Sequence, residues 1–294
     1  MNKIITTIIA VILTCSATAQ DFTRHEFSVN ISSGMSSFQA KPTIGNNLCW
    51  WTGTAGLGYH YFFNTSWSIG TGANFAVYNG EISINNYNQQ QTTINSLTGN
   101  TLYFMVNSSN YKETLQAMMI TIPLTAQYQR NGKTTFYAAF GGKIGIPVSA
   151  KSKPKGDFTT KGYYPDLNVT YEDFPDYGFV NNKLFPKNKT NLALKTAIMM
   201  SAEVGVKWHL GKMINLYTGI YADYGLNNIL DKKPAANTNL VVYQSNTPSQ
   251  FAYNTAVNSY ARKMAPFAGG ITLRSSFNLL QNRTTTQRFP SIYR

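Results

Sequence analysis

The chain has 294 residues and a formal charge of +13, yet only 13% of its residues are charged, against the ~25% usual in soluble globular domains. Aromatics reach 14%, with 19 Tyr and 17 Phe, and no run of about 18 apolar residues follows Ala19, which excludes helical membrane spans. Such a composition fits a membrane β-barrel, and the dispersed basic charge is a poor match to nucleic-acid binding.

The first element is "MNKIITTIIAVILTCSATA". It carries Lys3, an apolar run from Ile4 to Leu13, and small residues ending at Ala19. Residues 1–19 are therefore expected to be a secretory signal peptide, cleaved before Gln20. Lipidation of Cys15 is the alternative, but Thr14 is bulkier than the Gly, Ala or Ser expected before an acylated cysteine. Removal of the signal leaves Cys49 alone, so no internal disulfide can form.

Period-two alternation then recurs over 25–34, 51–63, 66–81, 114–129, 134–150, 194–210, 213–226 and 264–279, which predicts eight strands. Asn64-Thr65, Arg130 to Lys133 (with Asn131-Gly132) and Gly211-Lys212 read as tight turns. Residues 35–50, 82–113, 151–193 and 227–263 read as long polar loops. An even strand count, with short turns on one side and long loops on the other, is the pattern of outer-membrane barrels. The expected fold is all-β: an eight-stranded antiparallel transmembrane up-and-down β-barrel with short periplasmic turns and four long extracellular loops. The barrel domain is placed at 20–280 and a periplasmic C-terminal tail at 281–294.

Side-chain parity identifies the two faces. Ile198, Met200, Ala202, Val204, Val206 and Trp208 share one side of the sixth strand, and Ser201, Glu203, Gly205, Lys207 and His209 the other. Phe136, Phe140, Ile144 and Ile146 oppose Tyr137, Gly141, Lys143 and Gly145. Phe267, Ile271, Leu273 and Phe277 oppose Gly270, Thr272, Arg274 and Ser276. A soluble lipocalin-type barrel would hold its apolar residues inside and its charges outside. Here charge belongs to the narrow interior, so the apolar side is assigned to lipid.

Inward parity collects Glu26, Lys143, Glu203, Lys207, Asp223 and Arg274. Charges confined between eight strands must pair, because stranding one costs several kcal/mol. They are expected to form a polar plug, with Glu203 paired to Lys143; a gate or ion path is the sharper reading of the same set. His25, His60 and His209 all fall near periplasmic strand ends, His60 and His209 inward and His25 outward. No nucleophile–base pair stands out, so no catalytic residue, metal or cofactor is expected.

The loop at 151–193 is the candidate recognition element. It interleaves Tyr163, Tyr164, Tyr171, Phe174, Tyr177 and Phe179 with Asp166, Glu172, Asp173 and Asp176, among flanking lysines. Exposed aromatics can stack on a glycan or anchor a protein; the plainer reading packs them over the barrel mouth. The lysines suit the phosphates of outer-membrane lipid and lipopolysaccharide.

The stretches "ITIPLTAQYQRNG", "FYAAFGGKIGIPV" and "YADYGLNNIL" hold Ile122-Pro123-Leu124 with Tyr128, then Gly141-Gly142, then Tyr224-Gly225-Leu226-Asn227-Asn228-Ile229. In these the chain resembles the Bacteroidetes outer membrane β-barrel domain, a family that includes PorT-like proteins and shares the OmpA-type eight-stranded architecture. The resemblance implies the barrel, and a place in an envelope secretion or assembly machine as one possible role. The chain departs from outer-membrane custom in ending "QNRTTTQRFPSIYR", without a terminal aromatic, and these residues hold no peptidoglycan-binding domain of the OmpA kind, so a cell-wall anchoring role is not expected.

Overall fold

The computed structural model describes residues 24–40, 44–95, 98–130, 134–210, 213–231, 239–261 and 263–278. The expected signal peptide, the C-terminal tail, and the turns at Asn131-Gly132 and Gly211-Lys212 lie outside them. The strands in chain order are β1 (His25–Phe38), β2 (Asn46–Phe62), β3 (Trp67–Ile94), β4 (Thr101–Arg130), β5 (Thr135–Lys155), β6 (Asp157–Tyr164), β7 (Val169–Glu172), β8 (Lys183–Leu184), β9 (Thr190–Asn191), β10 (Ala197–His209), β11 (Ile214–Gly225), β12 (Val241–Tyr243), β13 (Phe251–Tyr253) and β14 (Pro266–Asn278). One short helix, α1 (Ala256–Tyr260), carries Thr255 as its N-cap.

Eight strands make a ring: β1, β2, β3, β4, β5, β10, β11 and β14, each antiparallel to its neighbours. β14 pairs with β11 on one side and β1 on the other, from Glu26 opposite Asn278 to Phe38 opposite Pro266. Closure leaves no unpaired sheet edge within the bilayer, where an unsatisfied backbone amide has no water to turn to. At the first hairpin, Asn64 Oδ1 accepts from the backbone N–H of Ser66 and Trp67, each at 2.8 Å, and turns the chain in two residues.

The outer face carries the expected apolar parity. Leu57, Phe75, Leu124, Phe140, Val204, Ile220 and Ile271 all point away from the ring. Aromatics collect at its periplasmic end, where Trp67 packs on Tyr128 at 5.0 Å and Tyr61 on Phe63 at 5.4 Å, as an interfacial girdle should. On β3, β4 and β5 the outward apolar column stops at Val77, Met118 and Val148, while on β2 it runs on through Trp51, Trp50 and Leu48.

Beyond that level the structure departs from the expected loops. β3 and β4 run 28 and 30 residues, roughly three times the 9–11 a membrane strand needs, and their ribbon absorbs most of 82–113. β6 adds to β4, and β7 adds to β6, so a four-stranded sheet rises above the bilayer. Phe104, Tyr111, Phe158, Phe179, Phe185, Leu240, Tyr243 and Val257 fill one apolar core between this sheet, β12–β13 and α1. That core continues down to Met119 and Met199, both fully buried, which stopper the barrel mouth.

Val204 lies opposite Ala138 and Ile220, in the middle of its strand, with its side chain toward lipid. Val204→Arg is expected to cost about 2–4 kcal/mol of folding free energy near the bilayer midplane. Urea titration of the barrel in lipid vesicles, followed by its shift on unheated gels, reads that loss. A midpoint equal to wild type would mean the faces are inverted.

Candidate functional site

Two places gather the polar and aromatic residues singled out above: the lumen and the extracellular cap.

Starting from the periplasmic end, Glu26 is buried and accepts from Lys207 (3.3 Å), Tyr217 OH (2.9 Å), Asn215 Nδ2 (3.1 Å) and Ser276 Oγ. Next, Arg274 donates to His60 Nε2 at 2.8 Å and Gln127 Oε1 at 2.6 Å, and its guanidinium stacks 4.1 Å from the Tyr217 ring. A guanidinium only donates, so His60 must accept as the neutral tautomer with its proton on Nδ1. The approach is close: a Cβ on Gly70 would stand 2.4 Å from His60 Nε2, so only glycine fits beneath that ring. Further out, Lys143 binds both Asp223 oxygens at 2.6 and 2.8 Å. Asp223 also accepts from Ser201 Oγ at 2.7 Å and from Tyr78 OH at 3.4 Å.

Between the Arg274 and Lys143 layers is a cavity of about 90 Å3, room for several waters, lined by Asn30, Thr54, Asn74, Thr125, Glu203 and Tyr221 among others. Ser28 Oγ, Asn74 Oδ1, Tyr221 OH and Arg274 Nε, on residues that line it, are buried and have no protein partner.

The expected Glu203–Lys143 pair does not form. Register sets Glu203 opposite Ala139 and Lys143 opposite Met199, four residues apart, roughly 13 Å along the strands. Lys143 instead reaches past Ser201 to Asp223 on β11, and Glu203 accepts from Tyr137 OH at 2.7 Å. The same offset separates Glu26, opposite Asn278, from Arg274, opposite Asn30. The histidines take hydrogen-bonding roles: His25 meets Tyr59 OH at 2.8 Å, and His209 meets Asn215 at 2.7 Å and Thr135 at 3.3 Å.

In the cap the six aromatics part company. Tyr164 and Phe179 are core residues. Tyr164 OH accepts from Asn95 at 2.6 Å, and Phe179 lies so close to β6 that a Cβ on Gly162 would stand 2.1 Å from its ring. Tyr163 is half-buried beside Tyr103, its hydroxyl donating to Asn168. Tyr171, Phe174 and Tyr177 remain exposed, and every residue of 166–177 is solvent-facing. Tyr171 packs edge-on against both Tyr164 (5.6 Å) and Phe174 (5.9 Å), which ties the exposed rings to the core. Asp166, Asp173 and Asp176 sit among them, and Glu172 pairs with Lys161 at 2.6 Å. Sequence reading did not single out Leu167 and Val169, which share this surface; both interrupt an otherwise polar, turn-forming stretch.

Glu113, five residues above Met118 and so outside the lipid band, is a buried carboxylate that sequence reading placed in a loop. It accepts from Tyr111 OH at 2.7 Å, from Ser152 Oγ and from the backbone N–H of Ala256, joining β4, β5 and α1. Burial raises its pKa above the ordinary carboxylate range, and those hydrogen bonds only partly offset the rise. An acid with a raised folded pKa gains folding stability as pH falls through that value, and the gain is complete below its unfolded value near 4.5. Protease resistance of the cap is expected to rise from pH 7 to pH 5, and Glu113→Gln to flatten that slope.

The lumen contacts generate a second test. In a double-mutant cycle on refolding in detergent, Lys143→Met and Asp223→Asn should couple by about 0.5–3 kcal/mol, while Lys143→Met and Glu203→Gln should add independently. The reverse pattern would reinstate the pairing expected from parity.

The chain was also compared with known proteins. No curated protein sequence matches it significantly. Among solved structures it is similar to Neisserial surface protein A (9% identity, 86% of this chain and 97% of that one, TM-score 0.34). It is also similar to the attachment invasion locus protein Ail of Yersinia pestis, solved with the heparin analogue sucrose octasulfate (11% identity, 87% and 99%, TM-score 0.32). A third similar structure is OprG of Pseudomonas aeruginosa (11% identity, 89% and 100%, TM-score 0.32). The family model described as "Outer membrane protein beta-barrel domain" matches residues 18–231, most of the chain. With the ring, its lipid-facing exterior and its charged interior already in view, this match shows that the chain belongs to the outer membrane protein β-barrel domain family.

Proposed function

We propose that this outer-membrane barrel is closed to solutes and works as an interaction protein, with residues 166–177 of the cap as its recognition surface. The observation that carries the reading is that segment itself: twelve consecutive exposed residues, with Tyr171, Phe174 and Tyr177 among them, held on a sheet whose own core is fully packed. Exposed aromatics on a rigid support lose little conformational entropy on binding, which is what makes such residues hot spots for a protein or glycan partner. Closure is supported by three obstacles in series: the Glu26–Lys207 layer, the Lys143–Asp223 layer, and the Met119–Met199 stopper beneath the cap.

The polar cavity between the two ionic layers favours a narrow channel as the second reading, because it would form the middle of any path. A partner within an envelope secretion or assembly machine is the form of the interaction reading that the resemblance to PorT-like proteins supports.

A photocrosslinking residue in place of Phe174, activated in intact cells, is expected to give a discrete adduct. Tyr171→Ser combined with Tyr177→Ser should abolish it, and the same label at Ile220 should mark lipid only. An adduct indifferent to those serines would sink the surface. In planar bilayers the wild type should show no steady conductance; steady unitary currents would replace closure with the channel reading.

A further inference from the structure

The outer end of β5 carries a feature that the recognition surface does not use. Along the membrane, β5 turns Ile144, Ile146 and Val148 to lipid. Met118 on β4 then lies opposite Ser149 and Met119 opposite Pro147, so Val148 is an extra residue, a β-bulge. One inserted residue exchanges the faces of everything beyond it. Without it Lys151, Lys153 and Lys155 would share the inward parity of Lys143; with it, Ala150, Ser152 and Pro154 turn in and the three lysines turn out. Lys151 stands opposite Gln116, Lys153 opposite Thr114 and Lys155 opposite Lys112, whose side chain is also exposed.

Four lysines thus share one face directly above the lipid-facing column: three on β5, stepped about 7 Å apart along the strand and starting roughly 10 Å beyond Val148, and Lys112 beside the outermost of them. Among the described residues their only carboxylate within ion-pair distance is Glu81, 3.7 Å from Lys112. Like charges directly opposite each other across a strand pair are destabilising. The arrangement is therefore electrostatically incomplete, and an anion with several charges would complete it.

We propose that this ladder binds the headgroup of an outer-leaflet glycolipid that carries more than one phosphate. Two features of the surface choose this occupant. The column below the ladder is apolar and faces acyl chains, so a ligand with both tails and phosphates meets both parts of one continuous surface. Lysine stems can also lie along the strand and carry their charge down to the headgroup plane. A single-phosphate lipid would leave most of the ladder uncompensated. The site lies on β4 and β5, away from residues 166–177, and does not depend on the recognition surface.

The test uses the full chain folded in detergent and native mass spectrometry, with diphosphoryl lipid A, monophosphoryl lipid A, phosphatidylglycerol, inorganic phosphate and heparin as separate probes. Folding of every variant is checked by its shift on unheated gels. Diphosphoryl lipid A should stay bound most tightly, monophosphoryl lipid A and phosphatidylglycerol at least tenfold more weakly, and inorganic phosphate should not be retained. K151Q/K153Q/K155Q should weaken diphosphoryl lipid A by at least tenfold, while R130Q/K161Q/K263Q, which removes the same charge elsewhere, should not. The arginine triple at 151, 153 and 155 should retain binding, which covers the case in which the glutamine triple fails to fold. K155Q alone should raise the thermal stability of the lipid-free barrel, by relieving Lys112, while lowering lipid affinity. Equal losses in the two glutamine triples would overturn the site, since net charge alone would then explain binding. Heparin bound as tightly as diphosphoryl lipid A would overturn it too, in favour of a soluble polyanionic glycan.

Discussion

The backbone of a strand in a bilayer has nowhere to place its hydrogen bonds except on another strand. Everything else in this molecule follows from that constraint. It forces β14 back onto β1, and once eight strands close, the space inside is wide enough only for side chains. Charges directed there cannot be solvated freely, so each must be placed against a partner. Glu26 gathers Lys207 and three uncharged donors, and Asp223 gathers Lys143, Ser201 and Tyr78, whereas Arg274 donates to His60 and Gln127 and stacks on an aromatic face with its Nε left without a protein partner. The tyrosines and serines in these sets matter as much as the ions, because a buried ion pair recovers its desolvation cost only when its remaining lone pairs and protons are also met.

Strict alternation made much of this legible in advance. The lipid and lumen faces of the fifth, sixth and last barrel strands can be read from parity, and so can the charged side chains turned inward, though not Tyr78, Gln127, Asn215 and Tyr217 that meet them. Which member touches which cannot. Parity fixes the face a side chain points to, whereas partnership needs the register between strands, and register is set by turn geometry and shear that composition does not reveal. Glu203 and Lys143 share a face on adjacent strands and still lie four positions out of register, while Asp223, one strand further, is within 2.6 Å of the lysine.

The cap was illegible for a related reason. Residues 82–113 look like a polar loop, rich in Asn and Gln, yet Ile82, Ile84 and Tyr87 on one strand and Leu102, Phe104 and Val106 on the other all enter one core. The alternation is present but changes phase. Asn86 takes a left-handed φ of 56°, and across it the buried set moves from even to odd positions, matched on β4 by the change between Ser108 and Tyr111. Asparagine tolerates that backbone conformation better than most residues, so the phase change has a local sequence signature, though one visible only when the strand is already known. Tyr164 and Phe179 were hidden in the same way, since aromatics in a long loop look alike until a sheet assigns them sides.

Phase changes of this kind do more than complicate the reading. Below Val77, Met118 and Val148 the two faces of every strand answer to fixed solvents, lipid outside and a crowded lumen inside, and a one-residue slip would place charge in hydrocarbon. Above that level both faces may meet water or a protein core, so the penalty for exchanging them disappears. The breaks at Asn86 in the ribbon and Val148 at the rim occur there, as does a further register shift between Cys49 and Gly53 on β2. The first turns apolar side chains inward to build a core where the barrel no longer supplies one. The second turns three lysines outward, at the height where the surroundings change from acyl chains to headgroups. An irregularity of one residue, tolerated only past the edge of the bilayer, thus decides which chemistry this barrel shows to its surroundings.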